Sequence, residues 1–262
     1  MADVYYRKDG STIYYRNGWA SGYVIRPNWD PMDVNTQVSS SKNVIIELVD
    51  DKFILPYNSS YLVAGATNST FNDMDKWDTS GVRDMTGMFF RCSSATELNL
   101  SNFNTSNVTD MRGMFAECIA ITDLDLSTFD TSNVTDMSHM FRSFSGTKLN
   151  LLNFNFDKVK NVNSMFSNCQ NLTEILVEKN TDWSINTINR TGDGMFDNCR
   201  NLPNWDGTTD LSRANNTTEN GYFGSGRPWA KYTLYYKTRD FWYVMDPYIK
   251  AYDEWDKIEV HA

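Results

Sequence analysis

The sequence predicts an α/β solenoid of about five rungs with a short parallel sheet, capped by a β-rich N-terminal region and an aromatic-rich C-terminal module. Two observations predict this fold. A unit of 25 to 30 residues recurs through the middle of the 262-residue chain, and each unit carries a helical apolar spacing followed by strand-like alternation. Because so short a unit cannot bury its apolar face alone, neighbouring units are expected to stack.

Residues 1–70 are predicted to form a β-rich cap or attachment region. The run VYYRKDGSTIYYRNGW reads as two strands joined by a turn at Asp9-Gly10, because Asp-Gly between alternating segments is a hairpin signal. Residues 43–49, NVIIELV, read as a further strand. This strand would be either the first rung or a cap strand.

The repeat region, residues 71–207, is marked by the dipeptide Met-Phe, which returns at intervals of 26, 26, 25 and 30 residues. Four residues after the methionine stands cysteine, or phenylalanine in the middle unit, and eleven residues before it stands an aromatic residue in the first four units. The fifth unit has Trp183 one residue further back. The methionines are Met88, Met114, Met140, Met165 and Met195. The residues four positions on are Cys92, Cys118, Phe144, Cys169 and Cys199.

Each unit is predicted to contain a short helix, a short strand and a turn. The apolar residues at helical spacing in the second unit are Met111, Met114, Phe115, Cys118 and Ile121. Leu124 and Leu126 then alternate with polar residues, which is strand spacing. The helical stripe and the two leucines should therefore point inward, and the cysteines should be free buried thiols.

Residues 208–262 are predicted to form an aromatic-rich C-terminal module. KYTLYYKT and FWYVMD read as a hairpin, and the segment from Asp246 reads as a short helix beginning at Pro247. The aromatic residues at both ends of the chain either cover the open ends of the stack or dock to a larger assembly or to sugar.

Little in the sequence supports catalysis. The chain has two histidines and lacks a nucleophile elbow, a P-loop and a dinucleotide fingerprint. His139 occupies a variable slot before Met140 and is expected at the surface. We therefore predict a non-enzymatic protein without cofactor or metal. A polysaccharide-acting enzyme is the weaker alternative, and its acidic cluster would be Asp253, Glu254 and Asp256.

The candidate functional feature is a surface. Strand alternation places two outward positions in each of four units, in line from unit to unit. These partner-binding candidates are Glu97, Asn99, Asp123, Asp125, Lys148, Asn150, Glu174 and Leu176. Solenoids commonly bind partners on such a face. The net charge of −9 argues against nucleic acid as the partner.

The string LDLSTFDTSNVTDMSHMF, from Leu124 to Phe141, resembles the BspA-like leucine-rich repeat family, also called the Mycoplasma lipoprotein-associated repeat. The resemblance covers about residues 71–204. It implies a leucine-rich-repeat-like solenoid without enzymatic activity, of a kind found on bacterial cell surfaces in adhesion to host proteins or cells.

Two settings follow from the resemblance. The N-terminus has no export signal, which favours a bacteriophage virion component, a head or tail decoration or fibre that attaches to host surfaces or glycans. The alternative is a fragment of a bacterial cell-surface adhesin. In either setting we expect a protein or glycan on a cell surface as partner, with other virion proteins as further candidates. No membrane insertion is expected, because no apolar run approaches the ~18 residues of a span. A homo-oligomer is compatible with the sequence.

Overall fold

The computed structural model describes residues 4–9, 12–17, 30–31, 43–48, 51–178, 190–207, 214, 222, 224–225, 235–237 and 242–244. The chain divides into two compact units, Met1–Gly226 and Arg227–Ala262. The second unit contains an antiparallel pair of strands, β10 (Tyr235–Lys237) and β11 (Trp242–Val244), which confirms the predicted hairpin. The predicted C-terminal helix lies outside the described residues.

The first unit begins with a four-stranded sheet in the order β3-β1-β2-β4. Its strands are β1 (Val4–Asp9), β2 (Thr12–Asn17), β3 (Asp30–Pro31) and β4 (Asn43–Glu47). β1 and β2 pair antiparallel with Asp9 opposite Thr12, so the predicted hairpin is confirmed. β4 pairs parallel with β2, and its Val44 and Ile46 are buried in the core. The segment predicted as first rung or cap strand is therefore an edge strand of this sheet.

The repeats contain only short stretches of regular structure. β5 (Phe53–Ile54) pairs parallel with β6 (Trp77–Asp78), which follows a 3₁₀-helix at Met74–Lys76. β7 (Lys148–Asn150), β8 (Glu174–Val177) and β9 (Gly224–Ser225) form a parallel sheet in that order. The predicted inter-repeat strand is thus formed in the units of β7 and β8, whereas Leu124 and Leu126 lie in extended chain without strand pairing.

The prediction of a short helix in each repeat is wrong, because the described residues contain no α-helix. Consecutive turns replace it, closed by bonds such as Met114 N–H to the Met111 carbonyl (3.2 Å). We call these eight-residue stretches the turn segments. They are residues 59–66, 85–92, 111–118, 137–144, 162–169 and 192–199.

Two left-handed residues in each turn segment explain why a helix does not form. The third and seventh residues have positive φ throughout, for example Gly113 at 61° and Glu117 at 60°. An α-helix requires negative φ at every position, so these two residues break it twice. The apolar residues still fall on one side at intervals of three and four, which is why the sequence spacing imitates a helix.

Successive turn segments are joined by a one-directional ladder of backbone hydrogen bonds. Met85, Gly87, Phe89 and Arg91 donate their N–H groups to carbonyls of the next segment at 2.7–3.0 Å. The same four positions donate in the following segments. A single parallel bridge precedes each segment, linking Asn58, Asp84, Asp110, Asp136, Asn161 and Thr191 in series. Neighbouring repeats are therefore held in register by their backbones.

The buried interior contains a continuous column of phenylalanine rings. Phe89, Phe115, Phe141, Phe166 and Phe196 stack at centroid distances of 5.7–6.0 Å with interplanar angles of 3–12°. Phe71 closes one end of the column edge-on, and Tyr222 closes the other. The methionines before these phenylalanines are fully buried as well. The Met-Phe repeat thus supplies the core.

Buried cysteine and threonine side chains add polar contacts between repeats. All four cysteines are free and buried, as predicted. The Cys118 thiol donates to the Phe89 carbonyl of the preceding repeat (3.0 Å). The buried Thr105 hydroxyl donates to the Asp130 carbonyl (2.9 Å) and accepts the Asp130 N–H (2.8 Å). Burial raises the pKa of the Cys92 thiol to about 12, so this group stays protonated.

The sequence pattern missed one rung at the N-terminal end of the repeats. Residues 59–66 donate to the next segment in the same way as the other segments, for example Val63 N–H to the Met88 carbonyl (3.1 Å). Leu62 takes the methionine position, and Ala66 takes the cysteine position. These substitutions keep the apolar character but remove the Met-Phe signature.

Candidate binding surface

Four of the eight candidate residues lie side by side on two paired strands. In the parallel pair β7–β8, Lys148 lies opposite Glu174, and Asn150 lies opposite Leu176. The equivalent positions one and two units earlier are held by Asp123 with Asp125 and by Glu97 with Asn99. We call these eight residues the strand face. Glu174 and Leu176 are half-buried, and the other six are exposed.

The charges of the strand face divide along its length. Glu97, Asp123 and Asp125 carry negative charge at one end, and none of them forms an ion pair with another described residue. At the other end Lys148 Nζ lies 2.8 Å from a Glu174 carboxylate oxygen. Both partners of this pair reach solvent, so it contributes little to stability. The face therefore presents an acidic half and a nearly neutral half.

Three residues of the strand face also stabilise the local backbone. The side-chain oxygens of Asn99, Asp125 and Asn150 each accept a hydrogen bond from the N–H two residues further on. Such bonds stabilise the turn that ends the strand segment. Hydrogen bonds from Ser127 lower the pKa of the Asp125 carboxyl, because they favour its charged form. Glu97 and Asp123 lack such bonds in the described part of the chain, so their carboxylates are more available to a partner.

The inward-facing side chains of the same segments largely follow the alternation predicted from the sequence. Leu100, Leu124 and Leu126 are buried. Leu98, which the same alternation assigns to the core, is only partly buried. The first of the four segments is therefore less regular than the later ones.

The remaining sequence candidates have the following positions. His139 is half-buried in a turn segment, with a positive φ of 58°. Burial lowers its pKa, and the nearby cation Arg142 lowers it further. The acidic cluster at 253–256 lies outside the described residues. Where the chain is described, no group of three or more metal-ligating side chains comes together, and no helix is long and apolar enough to cross a bilayer.

A second group of charged side chains on the turn segments was not foreseen from the sequence. Arg91 Nε lies 2.7 Å from one carboxylate oxygen of Glu117, and Arg142 lies 3.9 Å from the other. These residues come from three successive repeats. Their positions are variable in the sequence, and only the ion-pair distances show that their side chains lie together.

Comparison with known proteins identifies the repeats. A family model described as "Mycoplasma protein of unknown function, DUF285" matches residues 58–183 and 151–220, which together span more than half of the chain. The match includes the turn segment at 59–66 that the Met-Phe signature missed. No curated protein and no solved structure matches the chain. The chain therefore belongs to the DUF285 family of Mycoplasma-associated proteins.

Proposed function

We propose that this chain is a non-enzymatic binding protein whose strand face recognises a protein or glycan on a cell surface. The observation that carries the proposal is the pairing of Lys148 with Glu174 and of Asn150 with Leu176 in a parallel sheet. The parallel register brings the same two outward positions of these two units side by side. Glu97 and Asp123, at the equivalent sequence positions of two earlier units, are exposed and have no side-chain partner among the described residues. A partner can contact several repeats at once.

We further propose that the repeats form a leucine-rich-repeat-like solenoid of the BspA-like kind. The in-register ladder, the stacked phenylalanines and the family match support this assignment. Relative to the sequence prediction, the proposed solenoid has turn segments where helices were expected. It has six turn segments rather than about five rungs.

For the biological setting, we propose two candidates, a bacteriophage virion component and a bacterial surface protein. The family description, which refers to Mycoplasma, supports the second. Mass spectrometry of purified virions and the neighbouring genes distinguish the two settings. Peptides of this chain in virions, or adjacent capsid and portal genes, would support the first.

The binding proposal is tested with the double variant Glu97→Lys plus Asp123→Lys. Both side chains are exposed, so the melting temperature should stay within about 2 °C of wild type. Binding to a glycan array and to a panel of whole cells should fall. Asp125 is left unchanged because it stabilises its turn through Ser127.

Asp193→Lys plus Asp197→Lys serves as the matched control, because it reverses two exposed negative charges outside the strand face. Unchanged binding by the strand-face variant, or equal loss in the control, would contradict the proposal. Release of sugar products from a polysaccharide would contradict the non-enzymatic assignment.

A further inference from the structure

The turn segments carry a compact cationic and aromatic surface on a chain whose net charge is −9. It is separate from the strand face and is built from the third to seventh residues of successive turn segments, together with Arg112. We call it the arginine patch. Its residues are Tyr61, Phe90, Arg91, Arg112, Glu117 and Arg142.

The patch is continuous across four repeats. The Tyr61 ring lies edge-on to the Phe90 ring at 6.3 Å between centroids. The Arg91 guanidinium lies over the Phe90 ring, 4.9 Å from its centroid. Glu117 then links Arg91 to Arg142. Stacking and ion pairing hold the Arg91 guanidinium in one orientation, so less entropy is lost when it binds an anion.

The repeat between those of Phe90 and Arg142 carries only small side chains on this side. Ala116 takes the equivalent position there and is buried, and Gly113 lies three residues before it. A Cβ added at Gly113 would meet only the Ala116 methyl group, at 3.9 Å. The Phe90 ring and the Arg142 side chain are therefore the larger groups on the two sides of this repeat.

The cations of the patch remain available to a ligand. The side chains of Arg91, Arg112 and Arg142 are 58%, 51% and 43% exposed. Their carboxylate neighbours are Glu117, shared by two of them, and Asp110, 3.7 Å from Arg112. Exposed ion pairs of this kind are worth at most about 1 kcal/mol. An incoming carboxylate can replace them at small cost, and the three guanidinium groups outnumber their two carboxylate neighbours.

We propose that the arginine patch is a second binding site, specific for carboxylate-bearing glycans. Guanidinium groups bind carboxylates through paired hydrogen bonds, and the partly exposed rings of Tyr61 and Phe90 suit the apolar face of a sugar. The proposal rests on the proposed function only in taking a glycan as ligand. It does not require the strand face.

The test measures binding of the full chain to polygalacturonate, dextran sulfate and neutral dextran by isothermal titration calorimetry. Wild type should bind polygalacturonate and leave dextran unbound. The variant Arg112→Gln plus Arg142→Gln should weaken polygalacturonate binding at least about tenfold. Lys158→Gln plus Lys160→Gln removes the same charge elsewhere and should weaken it less than about twofold. Thermal melting checks that each variant is folded.

The outcomes separate this site from its alternatives. Equal weakening by the two double variants would reduce the effect to net charge and overturn the proposal. Binding of dextran as tight as that of polygalacturonate, binding of dextran sulfate alone, or no binding at all would also overturn it. Glu97→Lys plus Asp123→Lys should keep polygalacturonate binding. The strand-face proposal and the arginine-patch proposal are thus tested independently.

Discussion

The two halves of each repeat differ in how closely they resemble the same half of the other repeats. The turn segments are alike in all six copies, with two left-handed residues each, and consecutive copies are joined by the same four inter-repeat bonds. The strand segments at 97–101, 123–127, 148–152 and 174–178 share only their alternation, and just two of them contain paired strands. The half that carries the Met-Phe signature therefore keeps the same conformation from repeat to repeat, and the other half does not.

This difference indicates how the repeats combine stability with variability. Backbone bonds and buried columns fix the turn segments, whose interior residues hardly vary. The first outward position of the strand segments is glutamate, aspartate, lysine and glutamate in successive units. Side chains there can change without loss of core contacts, which suits a recognition surface.

The comparison of the two halves predicts the largest loss of stability for a substitution in the phenylalanine column. Phe115→Ala should lower the free energy of unfolding by about 3–5 kcal/mol, because it leaves a cavity between two stacked rings. Leu176→Ala, at a half-buried position of the strand face, should cost about 1 kcal/mol. Urea denaturation measures both. Similar losses for the two variants would show that the halves contribute equally.

The left-handed positions predict a graded series of glycine variants. Gly113→Ala should cost about 1–2 kcal/mol from backbone conformation alone, because its φ is 61° and the space above it is open. Gly87→Ala should cost more, since its Cβ would also clash with the Tyr61 ring. Gly81→Ala, with no positive φ and no atom within 4 Å, is the control. Equal melting temperatures for the three variants would contradict the left-handed assignment.

The buried threonines predict a smaller loss. Thr105→Val keeps the shape of the side chain but leaves the Asp130 N–H and carbonyl without their shared partner. The expected loss is about 1–2 kcal/mol by chemical denaturation. Ser127→Ala, at an exposed position of a strand segment, should stay within about 0.5 kcal/mol. If Ser127→Ala lowered stability as much as Thr105→Val, the expected difference between buried threonines and exposed strand-segment residues would be contradicted.

The smallest effect concerns pH. The pKa of His139 lies below its ordinary value of 6.5, because burial and then Arg142 disfavour the charged ring, whereas Asp136 acts in the opposite direction. The unfolded chain therefore binds the proton more tightly than the folded chain. Stability should be unaffected above pH 6.5 and should fall as the pH drops below this value, until the folded-state pKa is passed.

His139→Gly should remove this dependence, and it should also relieve the left-handed strain at this position. Melting temperatures between pH 5 and 8 test the expectation, with wild type as reference. An identical pH dependence in the variant would assign the effect to other groups.

The core of the repeats was predictable because it depends on residue types that recur at fixed intervals. Met114, Phe115 and Cys118 point inward as expected, and the hairpin at Asp9 follows from its turn chemistry. The helix was mispredicted because Met111, Met114, Phe115 and Cys118 satisfy a 3.6-residue period even when the chain turns by another route. The recurring glycines at 87, 113 and 194 were the available signal.

The outer surface was less predictable. Alternation assigned the strand-face positions, but it could not show that Asn99 and Asp125 also support their turns. The arginine patch escaped notice because Arg91, Glu117 and Arg142 are far apart in sequence and occupy positions without a recurring type. The rung at 59–66 was missed because leucine and alanine replace the signature residues there.

The one-directional ladder has a consequence for how such a chain can change in length. Every turn segment offers its carbonyls to the segment before it and its N–H groups to the segment after it. Loss of residues 111–136, one whole period, would leave Met85 against the Asp110 carbonyl and bring Gly87 against the Ser138 carbonyl, the acceptor that Gly113 now uses. Loss or gain of complete units would therefore change the length of the protein while preserving the pattern of its internal backbone bonds.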